Sequence, residues 1–459
     1  MEMASNKKIL LISYHFPPSA AVGGLRAANF ARYISGFGWT PYILTIDQKY
    51  LSNPDFGRLK DLEGIQINRS LKLPKLFDAV VFLLKKVKSI KAGIKRRPHV
   101  LPKMDAGRGS GEKTSSPESV RARFIRYYAS LFLALPDYER NWVLPAVLKA
   151  VGIIKKEKID WVLTSCPPYS VHLIGWLVEL LTGVRWVADF RDPWFVASQK
   201  RMYPTCKLSR AIEGVCEKRI MQRAKVIVTN TQRLCRTFKE AYPGVHAEKI
   251  VHIPNGISKT AFQALDGLPK FDQFTMTYAG SLYFYRTPEP IFRAVRELID
   301  ARRVKAADLR IKLIGNCSHV DGFPTADIIA SYGLDGIVDV LPPIPYQEVL
   351  KVLKKSQLAL LFAPDQPYQI PAKVYDYIGT GTKILAIANE GATSELIDAT
   401  ASGKSFLPED ISGIREYIAE GVQAGMINGW TIDRHPELLD AYDYSNITHR
   451  LAKVLTEKC

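Results

Sequence analysis

The sequence predicts an α/β protein built from two doubly wound domains. A chain of 459 residues is longer than one ordinary core can hold. Short apolar runs alternate with stretches of helical period from near the first residue onward. That alternation pauses at a turn, Pro254-Asn255-Gly256, and then begins again. The expected boundaries are 1–255 and 256–435, followed by a last helical segment over 436–459. At 47% hydrophobic and 24% charged residues the composition is globular, and no apolar run is long enough to span a membrane.

The first element is KKILLISYHFPP, a buried strand stopped by Pro17-Pro18. Its apolar run, residues 9–12, is far shorter than the core of a secretion signal. After a glycine-containing loop over 20–24 comes LRAANFARYISGFG, apolar at helical spacing and closed by Gly36 and Gly38. TPYILTI is the second strand, so the chain opens with a βαβ unit, which calls for a parallel sheet with right-handed crossovers. Further strands are expected at 161–164, 185–188, 225–229 and 250–253. In the second half, FTMTYAG, LRIKLIG, IVDVLPP, LALLFAP and KILAIA read as strands. Helices are expected over about 290–302, at YQEVLKVLKKS, and in YSNITHRLAKVL near the C-terminus.

Residues 53–140 interrupt the pattern and read as an insertion. A polar tract, GRGSGEKTSSP, separates FDAVVFLLKKVKSIKAGIKRR from VRARFIRYYASLFLALP. Phe77, Val80, Val81, Leu84, Val87, Ile90 and Ile94 can share one helix face, beside Lys85, Lys88, Lys91 and Lys95. Between Lys72 and Arg126 there are fifteen Lys and Arg against four Asp and Glu, a net of +11 out of +18 for the whole chain. The basicity is therefore local, which argues against a nucleic-acid binder and for an anionic surface reached through about 77–126. A basic amphipathic helix suits anionic lipid; it equally suits a helix packed on its own domain with a solvated basic face.

Six cysteines (Cys166, Cys206, Cys216, Cys235, Cys317 and Cys459) show no paired spacing, which fits reduced thiols in a cytoplasmic protein. No cluster of His, Cys and acidic residues has metal-ligand spacing.

Chemistry is expected where strands end, because open α/β sheets bind ligands at the carboxyl ends of their strands. IPAKVYDYIGTGTKILAIA, residues 370–388, reads as a helix with proline near its first turn, then Gly379 and Gly381, then a strand. Lys373 and Asp376 share a face of that helix near its N-terminus, where free N–H groups and the dipole favour an anion. The pair could hold a nucleoside diphosphate, or simply pair on the surface. Gly280, at the end of FTMTYAG, and Arg286, in the loop that follows, form a second phosphate-suited place. Gly23-Gly24 after the first strand would let backbone approach a phosphate or sugar, or would serve a tight turn. They do not form the glycine pattern of a nicotinamide site. In VADFRDPW, Asp189, Arg191 and Asp192 follow a strand directly; a carboxylate there could act as a base on an acceptor hydroxyl, or pair locally with arginine. His15 and His172 flank strand ends, and nothing in the pattern makes either catalytic.

Taken in order, YHFPP…GG, LPDYERNWVLPA, TSCPPYS, WVADFRDPW, IPNG, YAGSLY and PAKVYDYIGTGTKILA resemble the family 4 glycosyltransferases of GT-B fold, in particular bacterial enzymes of surface-polysaccharide assembly. The resemblance implies two Rossmann-like domains facing a cleft, a nucleotide sugar held mostly by the C-terminal one, and a last helix packing back toward the N-terminal domain. It implies retaining transfer without metal or cofactor, to a lipid-linked saccharide in exopolysaccharide, capsule or O-antigen synthesis. By position, Arg286 and Lys373 would neutralise the leaving diphosphate, Asp376 would hold the ribose, and Gly280 and Ser281 would line the donor. Gly23 and Gly24 would lie near the donor phosphates and sugar, and Asp189 or Asp192 near the acceptor. The protein would then be cytoplasmic and peripheral on the inner face of the plasma membrane.

One departure stands out. Many members carry two glutamates seven residues apart; here the second is Asp376 and the first position is Tyr368, with Asp365 the nearest carboxylate upstream. Two other activities share the fold: a nucleotide-sugar 2-epimerase, and a catalytically silent assembly protein.

Overall fold

The computed structural model describes residues 7–52, 54–74, 124, 127–128, 135–197, 205–283, 285–427, 430, 432 and 436–458. The basic amphipathic stretch of 77–126 lies, apart from Phe124, outside the described residues. The chain divides into two compact units, the first ending at Ile253 and resuming at Thr448, the second running from Pro254 to Ile447.

Unit 1 runs β1 (Lys7–Ile12), α1 (Leu25–Ile34), β2 (Trp39–Ile46), β3 (Gln66–Ser70), α2 (Val143–Glu157), β4 (Trp161–Cys166), α3 (Ser170–Thr182), β5 (Arg185–Phe190), α4 (Lys207–Arg223), β6 (Val226–Thr229), α5 (Gln232–Ala241) and β7 (Ile250–His252). Its seven strands are parallel, in the order β3-β2-β1-β4-β5-β6-β7. The central strands β4 and β6 are buried along their whole length, as expected where helices cover both faces. β3 falls inside the range read as an insertion. Its sequence, QINRS, lacks an apolar run because it is a half-exposed edge strand paired only with β2. α4 also escaped the reading: its outward face mixes Leu, Ile and Val with Lys and Arg, which blurs the helical apolar stripe.

Unit 2 runs α6 (Lys259–Gln263), β8 (Phe274–Ser281), α7 (Glu289–Asp300), β9 (Leu309–Asn316), a short hairpin of β10 (His319–Val320) and β11 (Phe323–Pro324), α8 (Thr325–Ser331), β12 (Val338–Leu341), α9 (Tyr346–Lys355), β13 (Leu358–Phe362), α10 (Ala372–Thr380), β14 (Lys383–Ile387), α11 (Ala392–Ala399), β15 (Gly403–Phe406), α12 (Ile411–Ile427) and α13 (Pro436–Tyr442). α14 (Tyr444–Glu457) follows, its residues from Thr448 onward belonging to unit 1, where Arg450 donates to the His252 carbonyl at 2.9 Å.

The unit 2 sheet is parallel, ordered β12-β9-β8-β13-β14-β15. Alternate residues of one strand feed two separate cores. In β13, Leu358, Leu360 and Phe362 join one apolar cluster while Ala359 and Leu361 join the other. Both units are thus doubly wound, as the sequence predicted. In each sheet the strand order reverses at one point: between β1 and β4 in unit 1, and between β8 and β13 in unit 2. Adjacent connections there run to opposite faces, leaving a crevice at the carboxyl ends where ligands bind.

Candidate active site

The reversal point of unit 2 gathers the residues singled out in its sequence. β8 ends at Gly280-Ser281, and β13 leads through residues 363–371 into α10. Pro371 caps α10 at φ −56°, and Gly381 ends it in the left-handed region at φ 74°. Lys373 therefore projects from the first turn, beside N–H groups that the helix leaves unpaired. Its Nζ lies 4.1 Å from the centroid of the Tyr278 ring, a side chain of β8. Arg286 stacks on Tyr283 at 4.4 Å and lies near the Tyr278 hydroxyl, which itself donates to the Ser281 carbonyl at 2.8 Å.

The electrostatics of this cluster follow from burial and from two cations near one tyrosine. Lys373 is pushed down to about 7, first by burial and then by repulsion from Arg286. Among the described residues neither cation is ion-paired with a carboxylate. Asp376 is pushed up to about 6 by burial, against the opposing influence of a 2.7 Å hydrogen bond from Tyr346 and of Lys373. Burial also raises the Cys317 thiol to about 11; its Sγ donates to the Gly280 carbonyl at 3.3 Å. Gly280 has φ 153°, and a Cβ there would run into Lys373 Nζ and stand 3.2 Å from the Tyr278 hydroxyl. Ser281 accepts a 3.3 Å bond from Asn316. Such a site, with two un-neutralised cations, a helix N-terminus and a backbone without Cβ, favours a dianion.

At the reversal point of unit 1, Gly23 and Gly24 form a tight turn leading into α1. Arg191 donates to the Gly23 carbonyl, to Cys166 O at 2.8 Å and to Pro167 O at 2.6 Å, tying together the loops after β1 and β4. Gly24 is closed to a side chain, because a Cβ would stand 3.0 Å from the His15 carbonyl oxygen. Asp189 is wholly buried, its oxygens taken by a bidentate pair with Arg26 (2.9–3.1 Å) and by Ser165 Oγ at 2.7 Å. Arg26 also donates to Ile253 O at 2.8 Å. Asp192 lies in the loop after β5 and is half-buried. His15 is pushed down to about 4 and His172 to about 3, burial leading in both. Both imidazoles are therefore neutral at pH 7.

The sequence reading gave no part to Tyr278, Tyr346 or Cys317. Tyr278 had a signal, since in β8 it is two residues before Gly280 and so shares its face. Tyr346 had none, being the first residue of a helix packed beside α10. Among the described residues no group of three or more His, Cys, Asp and Glu is placed to hold a metal ion.

Residues 107–260 match Glycosyltransferase Family 4. A D-inositol 3-phosphate glycosyltransferase of Corynebacterium urealyticum is 23% identical over 269 residues, covering 56% of this chain and 57% of that protein. One of the same description from Corynebacterium jeikeium is 24% identical over 319 residues, covering 63% and 74%. The chain spans about half the length of the first of these curated relatives. Among solved structures, a glycosyltransferase from Rickettsia africae has a TM-score of 0.63 at 12% identity, with 99% of each chain covered. Anabaena Alr3699/HepE in complex with UDP has a TM-score of 0.61 at 12% identity, covering 98% and 100%. The segment 107–260 is thus similar to glycosyltransferase family 4, and the fold of the chain is GT-B.

Proposed function

We propose that the protein transfers a sugar from a nucleoside-diphosphate sugar to an acceptor hydroxyl. The observation that carries this reading is the pair Lys373 and Arg286 on Tyr278, at the reversal point of the unit 2 sheet. Two cations that repel each other gain most from a ligand that brings two negative charges. As the bond from sugar to diphosphate breaks, charge builds on the leaving phosphate oxygens, and Lys373, Arg286 and the N-terminus of α10 would stabilise it there. Each such group is worth roughly 3 kcal/mol in the transition state. Asp376, oriented by Tyr346, would accept hydrogen bonds from the ribose hydroxyls, while Gly280 and Ser281 would line the diphosphate. The HepE complexes contain UDP or UDP-glucose, which makes UDP the first nucleotide to try.

The acceptor would be taken up at the strand ends of unit 1, with Asp192, half-buried in the loop after β5, as the nearby carboxylate. The turn at Gly23-Gly24, with Arg191 packed on it, would lie near the donor phosphates and sugar. A lipid-linked saccharide, reached by a cytoplasmic enzyme held to the membrane through about 77–126, fits the basic composition of that segment. Transfer would be retaining and independent of a metal or cofactor, with no nucleic-acid partner.

The test is donor turnover in Lys373→Ala and Arg286→Ala. Loss in both, with unfolding unchanged, supports the reading; near-normal turnover in either removes it.

A further inference from the structure

The loop after β5 carries Asp192, half-buried, and is held on both sides of it. Before Asp192, Arg191 ties the loop to the chain after β1 and after β4, through Gly23 O, Cys166 O and Pro167 O. After it, Pro193 O accepts a 2.8 Å bond from the hydroxyl of Tyr169, the residue that caps α3. The Tyr169 ring stacks on Trp194 with 5.5 Å between centroids, and Trp194 is wholly buried. Arg210 of α4 lies over the Phe195 ring at 4.7 Å and donates to the Phe195 carbonyl at 3.4 Å. The same helix makes room for that ring with a glycine, since a Cβ on Gly214 would stand 2.9 Å from it. Glycine inside a helix weakens it, so the seat for Phe195 is kept against local helix preference.

Glu217, also on α4, holds the loop in a different way. It is 0% exposed. Its carboxylate accepts the N–H of Phe195 at 2.7 Å, the N–H of Val196 at 3.2 Å and the hydroxyl of Tyr242, which ends α5, at 2.6 Å. Among the described residues no cation is paired with it, and burial pushes its carboxyl up against the pull of those three bonds. An apolar side chain would cover the sheet here without the cost of a desolvated charge. What the carboxylate adds is direction, because it fixes two successive peptide units three and four residues beyond Asp192.

We propose that Glu217 is a positioning residue for sugar transfer: it touches no substrate, and it sets where Asp192 stands by holding the peptides of Phe195 and Val196. The proposal rests on the reading of Asp192 as the carboxylate beside the acceptor.

Release of UDP from UDP-glucose by the full chain, by Asp192→Asn, by Glu217→Gln and by the double variant tests it. Glutamine keeps the volume but brings an NH2 group that cannot accept, so at least one of the three donors loses its acceptor. Glu217→Gln should slow turnover at saturating donor about tenfold or more, with UDP affinity unchanged in titration. In the Asp192→Asn background the same change should cost about twofold at most, because the group it positions is already gone. A purely structural role would lower the melting temperature and slow both backgrounds equally. Tyr242→Phe removes one bond and keeps the ring, so it remains informative if Glu217→Gln folds poorly. It should give a smaller loss of turnover, again absent from the Asp192→Asn background. Normal turnover by Asp192→Asn would remove the reading of Asp192, and the proposal with it. Slow turnover by Asp192→Asn with normal turnover by Glu217→Gln, or equal losses in both backgrounds, would overturn the proposal alone.

Discussion

Lys373 Nζ rests over the ring of Tyr278, 4.1 Å from its centroid, and the Arg286 guanidinium lies near the hydroxyl of that same tyrosine. One aromatic side chain of β8 thus sets the spacing of two cations that no carboxylate neutralises among the described residues. The arrangement is costly without a ligand, and that cost appears as the depressed Lys373.

The first consequence is a pH dependence. A diphosphate selects the charged form of Lys373, and the free protein loses that proton as pH rises through about 7. Affinity for UDP should therefore fall as pH rises above about 7, by up to about tenfold per unit. Below about 6 Asp376 gains a proton and stops acting purely as an acceptor, so affinity should decline there too. Calorimetric titration across pH 5–9 reads both limbs. Lys373→Arg, which stays charged, should lose the upper limb.

Gly280→Ala should be a severe change for its size. The Cβ would push Lys373 from its place over Tyr278, at a residue whose φ of 153° already disfavours a side chain. A displaced cation of this kind costs about 100-fold in turnover. Steady-state kinetics beside a melting curve would separate this local effect from unfolding.

Tyr346→Phe removes the 2.7 Å hydrogen bond to Asp376 and keeps the ring. If Asp376 holds the ribose, donor KM should rise about fivefold, the value of one hydrogen bond, with kcat little changed. Asp376→Asn should raise KM further. Equal KM in Tyr346→Phe and the unaltered chain would show that Tyr346 does not orient Asp376.

Asp189 is predicted to matter for stability. It is 0% exposed and Arg26 is 2% exposed, so Asp189→Asn leaves a buried guanidinium without its counter-charge. The loss should be about 3–5 kcal/mol in denaturant unfolding. A variant that unfolds normally but fails to transfer sugar would instead restore Asp189 as a reacting group.

How far the sequence revealed this follows from what each residue does. The strands with apolar runs were legible, as were Gly280, Arg286 and Lys373, because each lies at the carboxyl end of a strand that could be read. β3 was not, since an edge strand half in solvent has no need of an apolar run. Asp189 and Asp192 looked alike in FRDPW. Only the fold separates them, by bringing Arg26 from α1 onto Asp189 across 163 positions of chain. Tyr346 was invisible for a similar reason: its contact with Asp376 depends on how α9 packs beside α10. The replacement of a glutamate by Asp376 was plain in the sequence, whereas the tyrosine that hydrogen-bonds it was not.

Whether Lys373 and Arg286 hold a nucleoside diphosphate is decided by titrating UDP, then other nucleoside diphosphates, into the unaltered chain and into Lys373→Ala. One of these ligands should bind the unaltered chain. At 100 times its dissociation constant it should stabilise the fold by about 2.7 kcal/mol, an effect lost in Lys373→Ala. Failure of every nucleoside diphosphate to bind, or equal binding by Lys373→Ala, would contradict it.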